Sequence, residues 1–163
     1  MVKSRTMKKP PTVIKILCDI WAESLDSEVT KGHVYDDFLP ILKWCQEKKT
    51  PVSIYSGGSI QFQKSLFRHT LGGDLTSYIT SYFDVMNAGL KESSSSYIKI
   101  ASEMGVDPKE IMFVSDSEDE LLAAREAGIG HVVLCVRPEN VAVTSKSRDF
   151  PIIHSLLQLC QID

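Results

Sequence analysis

The sequence predicts an α/β protein in three layers, a mostly parallel sheet with helices on both faces. Three observations carry this reading: helical and strand patterns alternate along the chain, the strand runs are short and apolar on both faces, and each run closes in a polar or glycine turn. With 163 residues, 43% of them hydrophobic, the chain suits one globular domain with its own core.

Residues 1–11, with Lys3, Arg5, Lys8, Lys9, Pro10 and Pro11, show no periodicity and read as a flexible lead-in. The domain expected over 12–163 opens on a helix, with Thr12 as its cap. Val13, Ile16, Leu17, Ile20 and Trp21 stand at offsets 0, 3, 4, 7 and 8, and Lys15, Asp19, Glu23 and Asp26 lie opposite, an amphipathic pattern with the apolar stripe facing the core. A second helix is expected over 36–48. Pro51 then introduces the strand Val52-Ser53-Ile54-Tyr55, which closes in Ser56-Gly57-Gly58-Ser59. A helix over 59–69, a turn at Gly72-Gly73 and a strand near 82–85 lead to Gly89-Leu90-Lys91. Tyr97, Ile100, Ala101 and Met104 have helical spacing, and Gly105 sits where that helix stops. Asp107-Pro108 restarts the chain before the strand Ile111-Met112-Phe113-Val114, closed by Ser115-Asp116. A helix over 118–127 ending at Gly128, a strand over 131–136 and a last helix over 152–159 complete the pattern.

Eighteen Lys and Arg against 21 Asp and Glu leave a net charge of −3, so no broad basic field invites nucleic acid or anionic lipid. No apolar run approaches the ~20 residues that span a bilayer, and the start holds no signal-like block. The expected setting is soluble and cytoplasmic, with the nucleus also open. Cys18, Cys45, Cys135 and Cys160 lie far apart without CxxC pairs and read as core thiols rather than zinc ligands or a disulfide framework. His33, His69, His131 and His154 form no metal-binding pair and read as structural or surface groups. Trp21, Trp44 and the Phe and Tyr residues fall on core positions.

In open parallel sheets ligands gather where loops leave the carboxyl edge, which directs attention to Ser56-Gly57, Lys91 and Asp116. Ser56 offers a hydroxyl, and the glycines after it let backbone N–H groups approach an anion at the next helix start. The same turn also reads as an ordinary strand-to-helix connection in which Ser59 caps the helix. Asp116, at the end of a buried strand, is a hard oxygen ligand of the kind Mg²⁺ takes together with phosphate and water. Glu118 and Asp119 read as helix-dipole partners, while Glu120 is placed to hold a metal-bound water or a neighbouring lysine. Lys91 supplies a compact cation against phosphate or these carboxylates, or else is a solvated charge.

The order strand–Ser, Lys, strand–Asp resembles three of the four motifs of the haloacid dehalogenase-like phosphatases. Whole segments sharpen the match: Lys31-Gly32-His33-Val34-Tyr35, Ile54 to Ser59, Gln63-Lys64-Ser65-Leu66-Phe67, Gly73-Asp74-Leu75, Tyr82-Phe83-Asp84, Val114-Ser115-Asp116 and Val136-Arg137-Pro138 resemble the enolase-phosphatases (acireductone synthases) of methionine salvage over most of residues 16–141. The resemblance implies a Mg²⁺-dependent enzyme that enolises and dephosphorylates 2,3-diketo-5-methylthiopentyl-1-phosphate, a small phosphorylated sugar-like metabolite. It implies Ser56 and Gly57 as the substrate phosphate-binding pair, Lys91 as the phosphate-contacting lysine and Asp116 as the metal ligand. It also implies that 12–30 is a remnant cap helix and connector.

Three departures stand out. The family's Ser-Ser pair is Ser56-Gly57 here, and its Arg-Pro-Gly-Asn is Arg137-Pro138-Glu139-Asn140. The first motif, a strand followed by Asp-x-Glu-Gly-Thr, is not found, and with it go the attacking carboxylate and half of the metal ligation. Asp19 is the candidate stand-in nucleophile, but Ile20-Trp21-Ala22-Glu23 follows it and helical spacing fits better, with Asp19 paired to Lys15. A sheet without its first, central strand would have to close over the gap, recruit another chain in self-association, or leave apolar surface exposed. The expectation is an enolase-phosphatase-like chain, shortened at its amino end and impaired alone. The alternatives are a non-catalytic phosphate-binding or oligomer-forming remnant of that fold, and an active phosphatase using Asp19.

Overall fold

The computed structural model describes residues 11–138 and 149–161. Most of the expected lead-in, and Glu139 and Asn140, lie outside them. Helix α1 (Pro11–Asp26) begins two residues before the expected first helical position, Val13. Proline's fixed φ and missing N–H suit that first position, so Thr12 falls inside the first turn rather than capping it.

Helix α1 turns a different face inward from the one its stripe suggests. Cys18, Ala22 and Leu25 are buried, whereas Val13, Ile16, Leu17, Ile20 and Trp21 are exposed, Trp21 at 54%. The helix is apolar on two sides, and the side with the small residues Cys18 and Ala22 lets α1 lie close along α3 (Ile60–Arg68). His69, just past α3, meets Asp26 at 3.3 Å and ties the two helix ends together.

Helix α2 (Phe38–Glu47) buries Ile41 and Leu42. Strands β1 (Ser53–Ser56) and β2 (Ser81–Asp84) pair in parallel, with Ser53 opposite Ser81 and Ser56 opposite Asp84. Alternation along β1 sets the layers: Ile54 packs with Leu42, Phe67, Leu75 and Ile79 on one face, while Tyr55 packs toward Tyr97 on the other. Helix α4 (Ser94–Met104) stops at Gly105 as its spacing predicts, β3 (Met112–Ser115) follows, and α5 (Glu118–Glu126) leads to β4 (His131–Cys135). Strand β3 pairs in parallel with β4.

The expected last helix over 152–159 is instead a two-residue strand, β5 (Ile152–Ile153), parallel to β4, followed by a 3₁₀ segment, Leu156–Gln161. Pro151 and two β-branched residues explain the change. The proline holds its neighbour in extended backbone, and its carbonyl accepts from Leu134 N at 2.9 Å.

The described strand pairs are all parallel, which is the expected α/β arrangement, and the described sheet is in two pieces, β1-β2 and β3-β4-β5. Among the described residues no strand joins β1 to β3. No described helix is long and apolar enough to cross a membrane.

Candidate functional site

Ser56 closes β1, and its Oγ accepts from Gly58 N at 3.2 Å, folding the turn back on itself. Ser59 caps α3 by accepting from Phe62 N. A second acceptor at this helix start had no local sequence signal. The buried carboxylate of Asp84, at the end of β2, accepts from Ile60 N at 3.0 Å and, on its other oxygen, from Met86 N and Asn87 N at 2.9 Å. Asp84 thereby fixes the β2 exit against the β1 exit. Gly57 points at open space: a Cβ built there meets no atom within 4 Å.

Lys91 lies in the loop after β2 with its side chain only 23% exposed. Three hydroxyls hold that loop by consecutive carbonyls: Tyr55 donates to Gly89 O at 2.7 Å, Ser96 to Leu90 O at 2.8 Å, and Tyr97 to Lys91 O at 2.7 Å. Gly89 is required here, because its φ is +112° and a Cβ would stand 2.6 Å from Ser96 Oγ. Burial first, and then the negative charge of Glu120, pushes the Tyr97 phenol far above its usual range, so it stays a donor.

The Lys91 ammonium is 2.7 Å from Glu120 Oε2 and 5.8 Å from the centre of the Tyr55 ring. Ser115 Oγ donates to the same Glu120 oxygen at 2.7 Å. Lys91 thus touches the residue before Ser56 and the acid held by the residue before Asp116, and the carboxyl ends of β1 and β3 meet around it. Of the two partners open to Glu120, the structure shows the lysine. Asp116 itself is exposed, just past β3, and Ser117 caps α5 by accepting from Glu120 N. Burial pushes the nearby Cys135 thiol up, and the Asp37 and Asp116 carboxylates add to that shift.

Asp19 stands on the exposed side of α1 in a 2.7 Å ion pair with Lys15. Another ion pair, missed in the sequence because its partners are 100 residues apart, joins Asp37 to Arg137. Arg137 Nη2 donates to both Asp37 oxygens at 2.9 and 2.8 Å, Ser155 Oγ and Leu156 N donate to Oδ2, and the guanidinium lies 4.4 Å over the Tyr35 ring.

The family described as haloacid dehalogenase-like hydrolase matches residues 12–128. The chain belongs to the haloacid dehalogenase-like hydrolases. The chain is similar to Enolase-phosphatase E1 of Caenorhabditis briggsae, 42% identical over 141 residues, covering 86% of this chain and 56% of the relative. It is also similar to Enolase-phosphatase E1 of Caenorhabditis elegans, 44% identical over 128 residues, covering 78% and 51%. The chain spans about half the length of these curated relatives. Its fold is similar to the crystal structure of the UTR4 protein of Saccharomyces cerevisiae, with a TM-score of 0.77 and 32% identity, covering 91% of this chain and 67% of that one. These identities bear out the resemblance to the enolase-phosphatases seen in the sequence.

Proposed function

We propose that this chain carries the phosphate- and metal-binding side of an enolase-phosphatase site acting in methionine salvage, on 2,3-diketo-5-methylthiopentyl-1-phosphate. The observation that supports this best is Lys91, a half-buried cation held by three hydroxyls where β1 and β3 end. In this reading Ser56 and the Gly57 backbone receive the phosphate, Lys91 exchanges part of its contact with Glu120 for phosphate oxygen, and Asp116 faces the metal. Asp84 takes no part in binding, since its oxygens accept from three backbone N–H groups.

The described residues gather no cluster of three His, Cys, Asp or Glu side chains around a metal. They offer Mg²⁺ one exposed hard ligand, Asp116, which fits an ion held mostly by phosphate and water rather than by protein alone. Once bound, Mg²⁺ would neutralise phosphate charge. Ser56 and Lys91 orient the ester, and Glu120 keeps the lysine aimed at the strand ends. No nucleophile is assigned: Asp19 lies on a solvated helix face, and among the described residues no strand between β1 and β3 presents another carboxylate.

Calorimetry on the full chain tests this. Inorganic phosphate with Mg²⁺ should bind, Mg²⁺ alone should give no heat, and Lys91→Met should weaken phosphate about tenfold, the worth of one charge-assisted contact of ~1.4 kcal/mol. Turnover of a diketo-phosphopentane should be slight and unchanged by Asp19→Asn. Binding without turnover supports the second reading, a non-catalytic phosphate-binding form of the fold; among the described residues no strand joins β1 to β3. No heat with phosphate and Mg²⁺ together would sink both readings.

A further inference from the structure

The four cysteines are free thiols, and the fold sorts them into two kinds: Cys18 and Cys135 are buried, while Cys45 on α2 and Cys160 on the 3₁₀ segment are half-buried. The half-buried two are remote in the chain, yet their elements pack against each other. A shared anchor aligns those elements. Asp37, at the start of α2, accepts from Ser155 Oγ at 2.9 Å and from Leu156 N at 2.7 Å, which pins the head of the 3₁₀ segment to the head of the helix. Leu156 and Leu159, one 3₁₀ turn apart, pack against the cluster of Val133, Cys135 and Ile153 and seat the segment on β4 and β5. On the other side Asp37, Ile41 and Cys45, four residues apart, form one ridge of α2. From the anchor both cysteines stand at similar reach: Cys45 follows Asp37 by eight residues, about 12 Å at the α-helical rise, and Cys160 follows Ser155 by five, about 10 Å at the 3₁₀ rise. The thiols also sense each other. Burial first, and then the charge of Cys160, push the Cys45 thiol above its ordinary value, and a neighbouring charge has that effect only at close range.

We infer that Cys45 and Cys160 are a reversible redox pair, whose disulfide bolts the 3₁₀ segment to α2 at the end opposite Asp37. The oxidant is a small disulfide of the glutathione class. The Cys160 thiolate, its proton released to water, attacks one sulfur of that disulfide and expels one thiolate, leaving a mixed disulfide. The Cys45 thiolate then attacks the Cys160 sulfur, expels the second thiolate and completes the bond, so two cysteines are oxidised as the oxidant is reduced to two thiols. Cys45 suits the second step, because closeness within one fold offsets its tighter hold on the proton. The cross-link closes most of the chain after α2 into one loop and keeps Ser155 and Leu156 on Asp37, so oxidation strengthens the Asp37–Arg137 anchorage from its far end.

The test equilibrates the full chain in glutathione buffers from reducing to oxidising, traps free thiols by alkylation, and maps the peptides by mass spectrometry. Oxidising buffer should link the peptides that hold Cys45 and Cys160, leave Cys18 and Cys135 as thiols, and excess reduced glutathione should reopen the bond. The oxidised chain should unfold in urea at a midpoint about 1 M higher, as a cross-link over a long loop predicts. That gain should vanish in Cys45→Ser and in Cys160→Ser alike, and the mapping is made on the unaltered chain, so it holds even where a variant folds poorly. Three results would overturn the inference: no link between Cys45 and Cys160 in any buffer, whether they stay free or each carries glutathione; a link to Cys18, Cys135 or a second copy instead; or a linked pair with an unchanged urea midpoint. The readouts are thiol state and unfolding, so the pair is tested apart from the phosphate-binding reading.

Discussion

Two enclosed ion pairs among the described residues are made of similar groups and hold them differently. At Asp37–Arg137 the side chains are 9% and 12% exposed, the carboxylate accepts from three separate groups, and the guanidinium is stacked on Tyr35 and donates to His154 O. At Glu120–Lys91 the exposures are 14% and 23%, and both hydrogen-bond contacts fall on one glutamate oxygen, Oε2. The first pair fastens the approach to α2 onto the exit of β4 and the start of the 3₁₀ segment, three stretches remote in sequence. The second fastens only a loop to a helix, at a strand edge that solvent reaches. A charge pair with every bond committed is scaffold, and one with capacity to spare can exchange a partner for a ligand.

Breaking the scaffold pair should have the largest effect on stability. Asp37→Ala leaves the Arg137 charge enclosed without its carboxylate and strips partners from Ser155 and Leu156, which should cost about 3 kcal/mol in urea unfolding. Acid should do the same. Burial alone would raise the Asp37 carboxyl, but hydrogen bonds from Leu156, Arg137 and Ser155, with the Arg137 charge, outweigh it and hold the group below its ordinary value. An unfolded aspartate titrates near ~3.9, so this contribution is complete above about pH 4 and is lost as pH falls through the lower folded value. Wild type should lose stability over that acid window more steeply than Asp37→Ala. Equal slopes would show that the pair does not anchor the fold.

The contrast sharpens at the other pair. Lys91→Met should cost no more than about 1 kcal/mol, because Glu120 keeps its bond from Ser115 and is partly reached by water. A loss as large as that of Asp37→Ala would make Lys91 scaffold too. Tyr97→Phe tests how the lysine is aimed: it removes the donor to Lys91 O while leaving the ring between Tyr55 and Phe113. About 1 kcal/mol of stability should go with that hydrogen bond, and phosphate binding should weaken severalfold. Phosphate affinity that stays at the wild-type value would show that the loop carbonyls need no such hold.

These contrasts also mark what the sequence can reveal. Elements whose signal is local are legible: the strand runs read at 52–55 and 111–114, each found one residue further on, the helix stop at Gly105 and the Ser59 cap all follow from a few adjacent residues. Lys91 and Asp116 are legible as polar residues just past apolar runs. What stays hidden is set by distant partners. The burial of α1 depends on the close approach to α3 that Cys18 and Ala22 allow, a choice that two apolar faces leave undecided. Asp37 meets Arg137 across 100 residues, and Asp84, Tyr55 and Tyr97 acquire their roles only from backbone groups the fold brings to them.

The smallest effect on stability belongs to Gly57→Ser, which restores the second hydroxyl of the pair that the enolase-phosphatase resemblance implies. A Cβ at this position meets nothing within 4 Å, and the backbone does not adopt the left-handed region, so the change carries no steric or conformational penalty. Unfolding free energy should stay within about 0.5 kcal/mol of the parent, as for a surface substitution. Phosphate binding with Mg²⁺ should strengthen severalfold, since a hydroxyl beside Ser56 gives the anion one more donor where the backbone N–H now acts alone. That gain should vanish in Gly57→Ala, which adds the carbon without the donor. Equal binding by Gly57→Ala and Gly57→Ser would show that this turn does not face the phosphate, whatever Lys91 does beside it.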